Sequence, residues 1–94
     1  MKWKLFANHA ETAGGSEVEV DVEPGATFGD AVDALLSAHP ELEAEILDED
    51  GDIHGHIRVL RNGDNPFDED EGYDTDLEAG DELALFPPVS GGRR

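Results

Sequence analysis

Residues 16–22 read Ser16-Glu17-Val18-Glu19-Val20-Asp21-Val22, a strict alternation of acid and valine. A period of two puts Val18, Val20 and Val22 on one face of a strand and Glu17, Glu19 and Asp21 on the other. The wet face excludes a strand buried between two layers, and the dry face needs a cover. Trp3, Leu5 and Ala7 alternate in the same way with Lys2, Lys4 and Phe6, which predicts a preceding strand. The polar stretch between them, residues 8–15, reads as a connection with room for one helical turn.

After the break at Glu23-Pro24-Gly25 the period changes. Thr27 is placed to cap a helix, with Asp30 three positions on to assist its first turn. Phe28, Val32, Leu35 and Leu36 follow at helical spacing. Pro40 disfavours helical geometry at His39 and so ends the helix there. Leu42, Ile46 and Leu47 continue the apolar stripe as a second short helix. Asp48-Glu49-Asp50-Gly51-Asp52 is a turn. Ile57, Val59 and Leu60 predict a strand closed by Asn62-Gly63, a strong turn pair. Residues 64–76 are acidic and interrupted only by Pro66, Phe67 and Tyr73, which reads as a long surface loop. Leu77-Glu78-Ala79-Gly80-Asp81-Glu82 turns into a last strand, Leu83-Ala84-Leu85-Phe86, ended by Pro87-Pro88. The order is strand, strand, helix, strand, strand. It predicts an α+β fold in which one main helix lies across a small mixed sheet. The 94 residues make one domain, 1–89, followed by a tail, 90–94.

Composition narrows the function. The chain has 24 acidic residues against 6 basic ones, a formal net charge of −18, and no cysteine. Such a surface repels nucleic acid and anionic lipid, so neither is an expected partner. The clear apolar periods argue against disorder. Adaptation to a salt-rich cytoplasm accounts for the acid and predicts loss of structure at low salt. The start, Met1-Lys2-Trp3-Lys4-Leu5-Phe6, lacks the apolar run of a signal peptide, and cytoplasmic localisation is expected.

Catalytic and metal motifs are weak. His54 and His56 share a face if extended, yet nothing fixes a third ligand, and exposed or partly packed histidines fit His9, His39, His54 and His56 better. The acidic runs at 48–52 and 68–72 place their glycines too early for a calcium loop, so no metal site is expected. Ser16, Ser37 and Ser90 lack a nucleophile-elbow context, and Gly14-Gly15 lacks the Lys-Ser/Thr of a phosphate loop. No enzyme and no bound cofactor is expected.

The tail has its own logic. In Phe86-Pro87-Pro88-Val89-Ser90-Gly91-Gly92 two prolines stiffen the exit from the sheet. Two glycines then make a thread without side chains, able to enter a narrow active site and present its terminal carbonyl.

The run from Gly80 through Gly-Gly at 91–92, with Asp81-Glu82, the last strand and Pro87-Pro88 in register, resembles the closing motif of the small archaeal modifier proteins. It is also similar to the small subunit of molybdopterin synthase and, more loosely, to the thiamine sulfur carriers. Trp3-Lys4-Leu5-Phe6-Ala7 and Val59-Leu60-Arg61-Asn62-Gly63 fit the same pattern. The resemblance implies a ubiquitin-like β-grasp fold. It also implies that an E1-like enzyme uses ATP and magnesium to adenylate the carboxylate of Gly92, with Gly91, Ser90, Val89, Pro88, Pro87 and Phe86 recognised as the tail. The acyl group then joins a target lysine through an isopeptide bond, or takes up sulfur as a thiocarboxylate. A dedicated sulfur carrier, partnered by a molybdopterin synthase large subunit, is the alternative. From another class, an acidic binding module that occupies a basic cleft would need no free tail. Arg93 and Arg94 follow Gly92. Either a metalloprotease that cleaves after Gly-Gly removes this precursor extension, or the two arginines are artificial.

Overall fold

The computed structural model describes residues 1–23, 25–54, 57–78 and 80–87. Four strands, β1 (Lys2–Leu5), β2 (Glu17–Glu19), β3 (Arg58–Arg61) and β4 (Glu82–Phe86), form one sheet in the order β2-β1-β4-β3. β1 pairs parallel with β4 at the centre, while the two outer pairs are antiparallel. The helices are α1 (Ala7–Ala13), α2 (Phe28–Ala38), α3 (Glu43–Ile46) and α4 (Pro66–Glu69), with 3-10 turns at Pro40–Leu42 and Gly72–Asp74.

The alternation read from the sequence sorts the faces as expected, but the strand read over 16–22 is shorter: β2 ends at Glu19, and of the three valines Val18 and Val20 are buried while Val22 is only half-buried. Trp3, Leu5, Val18, Val20, Val59, Leu83 and Leu85 are buried, and α2 covers them with Phe28, Ala31, Val32 and Leu35. The Trp3 indole N–H donates to the Ala31 carbonyl at 3.1 Å, so the polar edge of the largest core side chain is satisfied inside. The cap of α2 is a full capping box. The Asp30 N–H donates to the Thr27 hydroxyl (3.3 Å), and the Thr27 N–H donates to the Asp30 carboxylate (3.0 Å). The second short helix also forms, with Leu42 and Ile46 fully buried.

Three further expectations are corrected. The first strand stops at Leu5; Ala7 begins α1, with φ of 51°, and the stretch read as a connection is a seven-residue helix ended by Gly14. The segment 64–76 is not a surface loop. Asn65 caps α4 by accepting from the Phe67 N–H (2.9 Å), with Pro66 pre-set at its first turn. Phe67 meets Phe28 and Tyr73 edge-to-face, with centroids 5.9 and 5.0 Å away. Thr75 is buried, its carbonyl accepts from Phe28 N–H (2.8 Å), and Leu77 N–H reaches Ala26 O (2.9 Å). A few well-spaced anchors hold this acidic segment down although it has no apolar stripe. Finally, His9 is fully buried, and among the described residues neither ring nitrogen has a hydrogen-bond partner.

Candidate functional site

The site grows from the face of the sheet that α2 leaves open. With Trp3 and Leu5 turned inward, Lys4 turns outward. Register sets Lys4, Ala84 and Leu60 in one row across β1, β4 and β3, and Arg58 beside Phe86 in the next. Lys4 Nζ lies 3.2 Å from a Glu82 carboxylate oxygen. Phe6, at the end of β1, stacks on Phe86 with ring centroids 4.4 Å apart and planes 8° from parallel. The two rings wall an open cleft of about 550 Å³ floored by Leu60 and Ala84. A stacked pair of aromatics left on the open face of the sheet, beside Lys4 and Arg58, is an anchor for a partner. Phe86 is the last residue of β4, so this anchor sits at the root of the tail.

A polar clamp fixes the strand that carries the tail. Asn62 (φ 52°) and Gly63 (φ 91°) both take left-handed geometry, and Arg61 and Asp64 exchange backbone hydrogen bonds across the turn. This presents Asn62 and Arg61 to Asp81, just before β4. The Asp81 carboxylate accepts from Arg61 Nε, Asn62 Nδ2 and the Glu78 N–H, each at 2.8 Å. Burial works to raise the Asp81 carboxyl. The Glu78 N–H, the Asn62 amide and the Arg61 guanidinium outweigh it and hold the group below the usual carboxylate range. Asn62 Oδ1 in turn accepts from the Glu82 N–H (2.9 Å), which pins the register of β4.

The sequence-predicted site residues divide accordingly. Phe86 and Pro87 are described, and Phe86 faces the open side of the sheet. Pro88, Val89, Ser90, Gly91, Gly92, Arg93 and Arg94 lie outside the described residues, as does His56. Sequence reasoning missed Phe6, Leu60 and the Arg61–Asn62–Asp81 clamp. Phe6 left a trace: it falls on the polar side of the first alternation, where an aromatic has no core to enter. Among the described residues no helix is long and apolar enough to cross a membrane.

A mixed four-stranded sheet crossed by one capped helix, with its central parallel strand leading into the tail, is a ubiquitin-like β-grasp. The ThiS family model matches residues 3–92, and the chain belongs to that family. The curated relatives that it matches over nearly their full length are small archaeal modifier proteins. The chain is 55% identical over 92 residues to small archaeal modifier protein 1 of Haloferax volcanii, covering 98% of this chain and 100% of that one. The crystal structure of SAMP1 from the same organism matches with 54% identity and a TM-score of 0.87 over 98% of both chains. A Pyrococcus furiosus chain provisionally assigned as molybdopterin converting factor, subunit 1, matches with 28% identity and a TM-score of 0.73, over 94% of this chain and 95% of that one.

Proposed function

We propose that the chain is a ubiquitin-like protein modifier whose Gly92 carboxylate is activated by an E1-like partner and joined to lysines of target proteins. The observation that carries the reading is the outward Phe6–Phe86 stack at the root of the tail. A partner seated there would sit beside the last residue of β4, and the Asp81 clamp would hold that strand in register. Adenylation joins the Gly92 carboxylate to the α-phosphate of ATP and releases pyrophosphate, with magnesium held by the partner enzyme. A lysine amine then displaces AMP to give the isopeptide bond. Sulfide-level sulfur from a donor, attacking the same adenylate, displaces AMP to give a thiocarboxylate. The likeness to a molybdopterin converting factor subunit supports a dedicated sulfur carrier, working with a synthase large subunit, as the second reading. Both readings need a carboxylate at Gly92: a metalloprotease cleaving after Gly-Gly removes Arg93 and Arg94, or the two arginines are artificial.

The test is deletion of Gly91 and Gly92 in a tagged chain expressed with its activating enzyme. High-mass conjugates on a blot should vanish on deletion. Conjugates that survive it refute the modifier reading. A chain that forms only the thiocarboxylate, and no conjugate in either form, favours the carrier.

A further inference from the structure

Among the described residues, two large apolar side chains stay exposed, Phe6 and Phe67. Phe6 belongs to the tail face. Phe67 does not: it stands on the helix side, 44% exposed and held between Tyr73 and Phe28. It lines a cleft of about 590 Å³ with Ile53, Ile57, Val59 and Tyr73. A second cleft of about 330 Å³, floored by Val32, Leu36 and Leu47, adjoins the first at Tyr73 and Asp52, and the two together are treated as one groove. The described lining contains no lysine or arginine; Asp33, Asp52, Asp68 and Asp74 rim it.

We infer that this groove is a second docking surface, and that it takes a segment of a partner protein carrying one large apolar side chain flanked by lysine or arginine. The apolar side chain packs on Phe67, Ile53 and Tyr73. The basic flanks meet Asp52, Asp68 and Asp74. Because the groove is remote from the Phe6–Phe86 face, a copy attached through its tail could still be read by a receptor here. The inference does not rest on the tail chemistry.

The test uses the full chain and a fluorescein-labelled peptide, Lys-Arg-Val-Phe-Val-Arg-Lys amide, with a control carrying glutamate at every basic position. The solution contains about 1 M potassium chloride, where attraction between charges more than about 3 Å apart is screened and diffuse binding to an acidic surface is suppressed. The basic peptide should bind saturably, moving the amide signals of Ile53, Val59, Phe67 and Tyr73, and the glutamate peptide should not bind. Phe67→Ser should weaken binding by about tenfold or more, as loss of an interface anchor does. If that variant melts too low to use, the double substitution Asp52→Asn and Asp68→Asn serves. These carboxylates accept no hydrogen bond among those described, and their loss should weaken binding several-fold. Absent saturation, equal binding by the variants, or shifts spread over the Phe6–Phe86 face would overturn the inference.

Discussion

Asp81→Ala tests the clamp that holds the tail strand. Asp81 is 8% exposed and receives three hydrogen bonds at 2.8 Å, from Arg61, Asn62 and the Glu78 backbone. All three are accepted by an ionised carboxylate, and each such bond contributes about 1.5 kcal/mol or more. The Arg61 side chain is 22% exposed, which weakens its share, and the Arg61–Glu78 pair, with Glu78 83% exposed, adds little. The sum is about 3 kcal/mol or more, which for a domain of this size lowers Tm by about 10–20 °C or more. Circular dichroism melts and denaturant titration at neutral pH measure it. The Asp81 carboxyl titrates lower in the fold than its unfolded value of about 3.9. Its contribution is therefore complete above that value and disappears as pH falls through the folded one. The gap between wild type and variant should close in acid. A variant within about 0.5 kcal/mol of wild type would refute the clamp as a stabilising unit. A gap unchanged at pH 2 would do the same.

Three further substitutions test other joints. Thr27→Ala removes the reciprocal cap of α2 and should cost about 1 kcal/mol in a denaturant titration. His9→Leu should be neutral or stabilising by about 1 kcal/mol at pH 7, since neither nitrogen of the buried imidazole has a partner among the described residues. Burial lowers the His9 value against the opposing pull of Glu45. Wild type should therefore lose stability as pH falls from about 6.5 through the lowered value. The leucine variant should not, and an identical pH profile would contradict this. At Gly72 (φ 62°) an added Cβ would lie 2.9 Å from Phe67 Cδ1. Gly72→Ala should cost about 1–3 kcal/mol and displace the Phe67 and Tyr73 ring signals in NMR.

The sheet and α2 were legible because their patterns are local and redundant: Val18 and Val20 repeat every second residue, Phe28, Val32 and Leu35 follow the helical turn, and Thr27 with Asp30 marks the start. The parallel pairing of β1 with β4 left no local mark; it follows from the crossover through α2. Residues 64–76 misled because Pro66, Phe67, Tyr73 and Thr75 anchor them one at a time, by tertiary contacts and carbonyl bonding to Phe28 that no periodicity encodes. α1 was hidden by polar composition, and His9 by its residue type, which usually lies at the surface. At the tail, Phe86 and the Gly-Gly pair were readable as chemistry. The stacking partner Phe6, far off in sequence, was visible only as an aromatic on the wrong side of an alternation.

The central claim is that Gly92 is an activated carboxyl. The direct measurement is the intact mass of the chain ending at Gly92, after incubation with the E1-like enzyme, ATP and magnesium, with and without a sulfur donor. The account predicts ATP-dependent adenylate formation. With the donor present, it predicts a mass shift equal to exchange of one oxygen for sulfur, lost on Gly92 deletion. An unchanged mass under conditions where the enzyme loads another member of the family would contradict it.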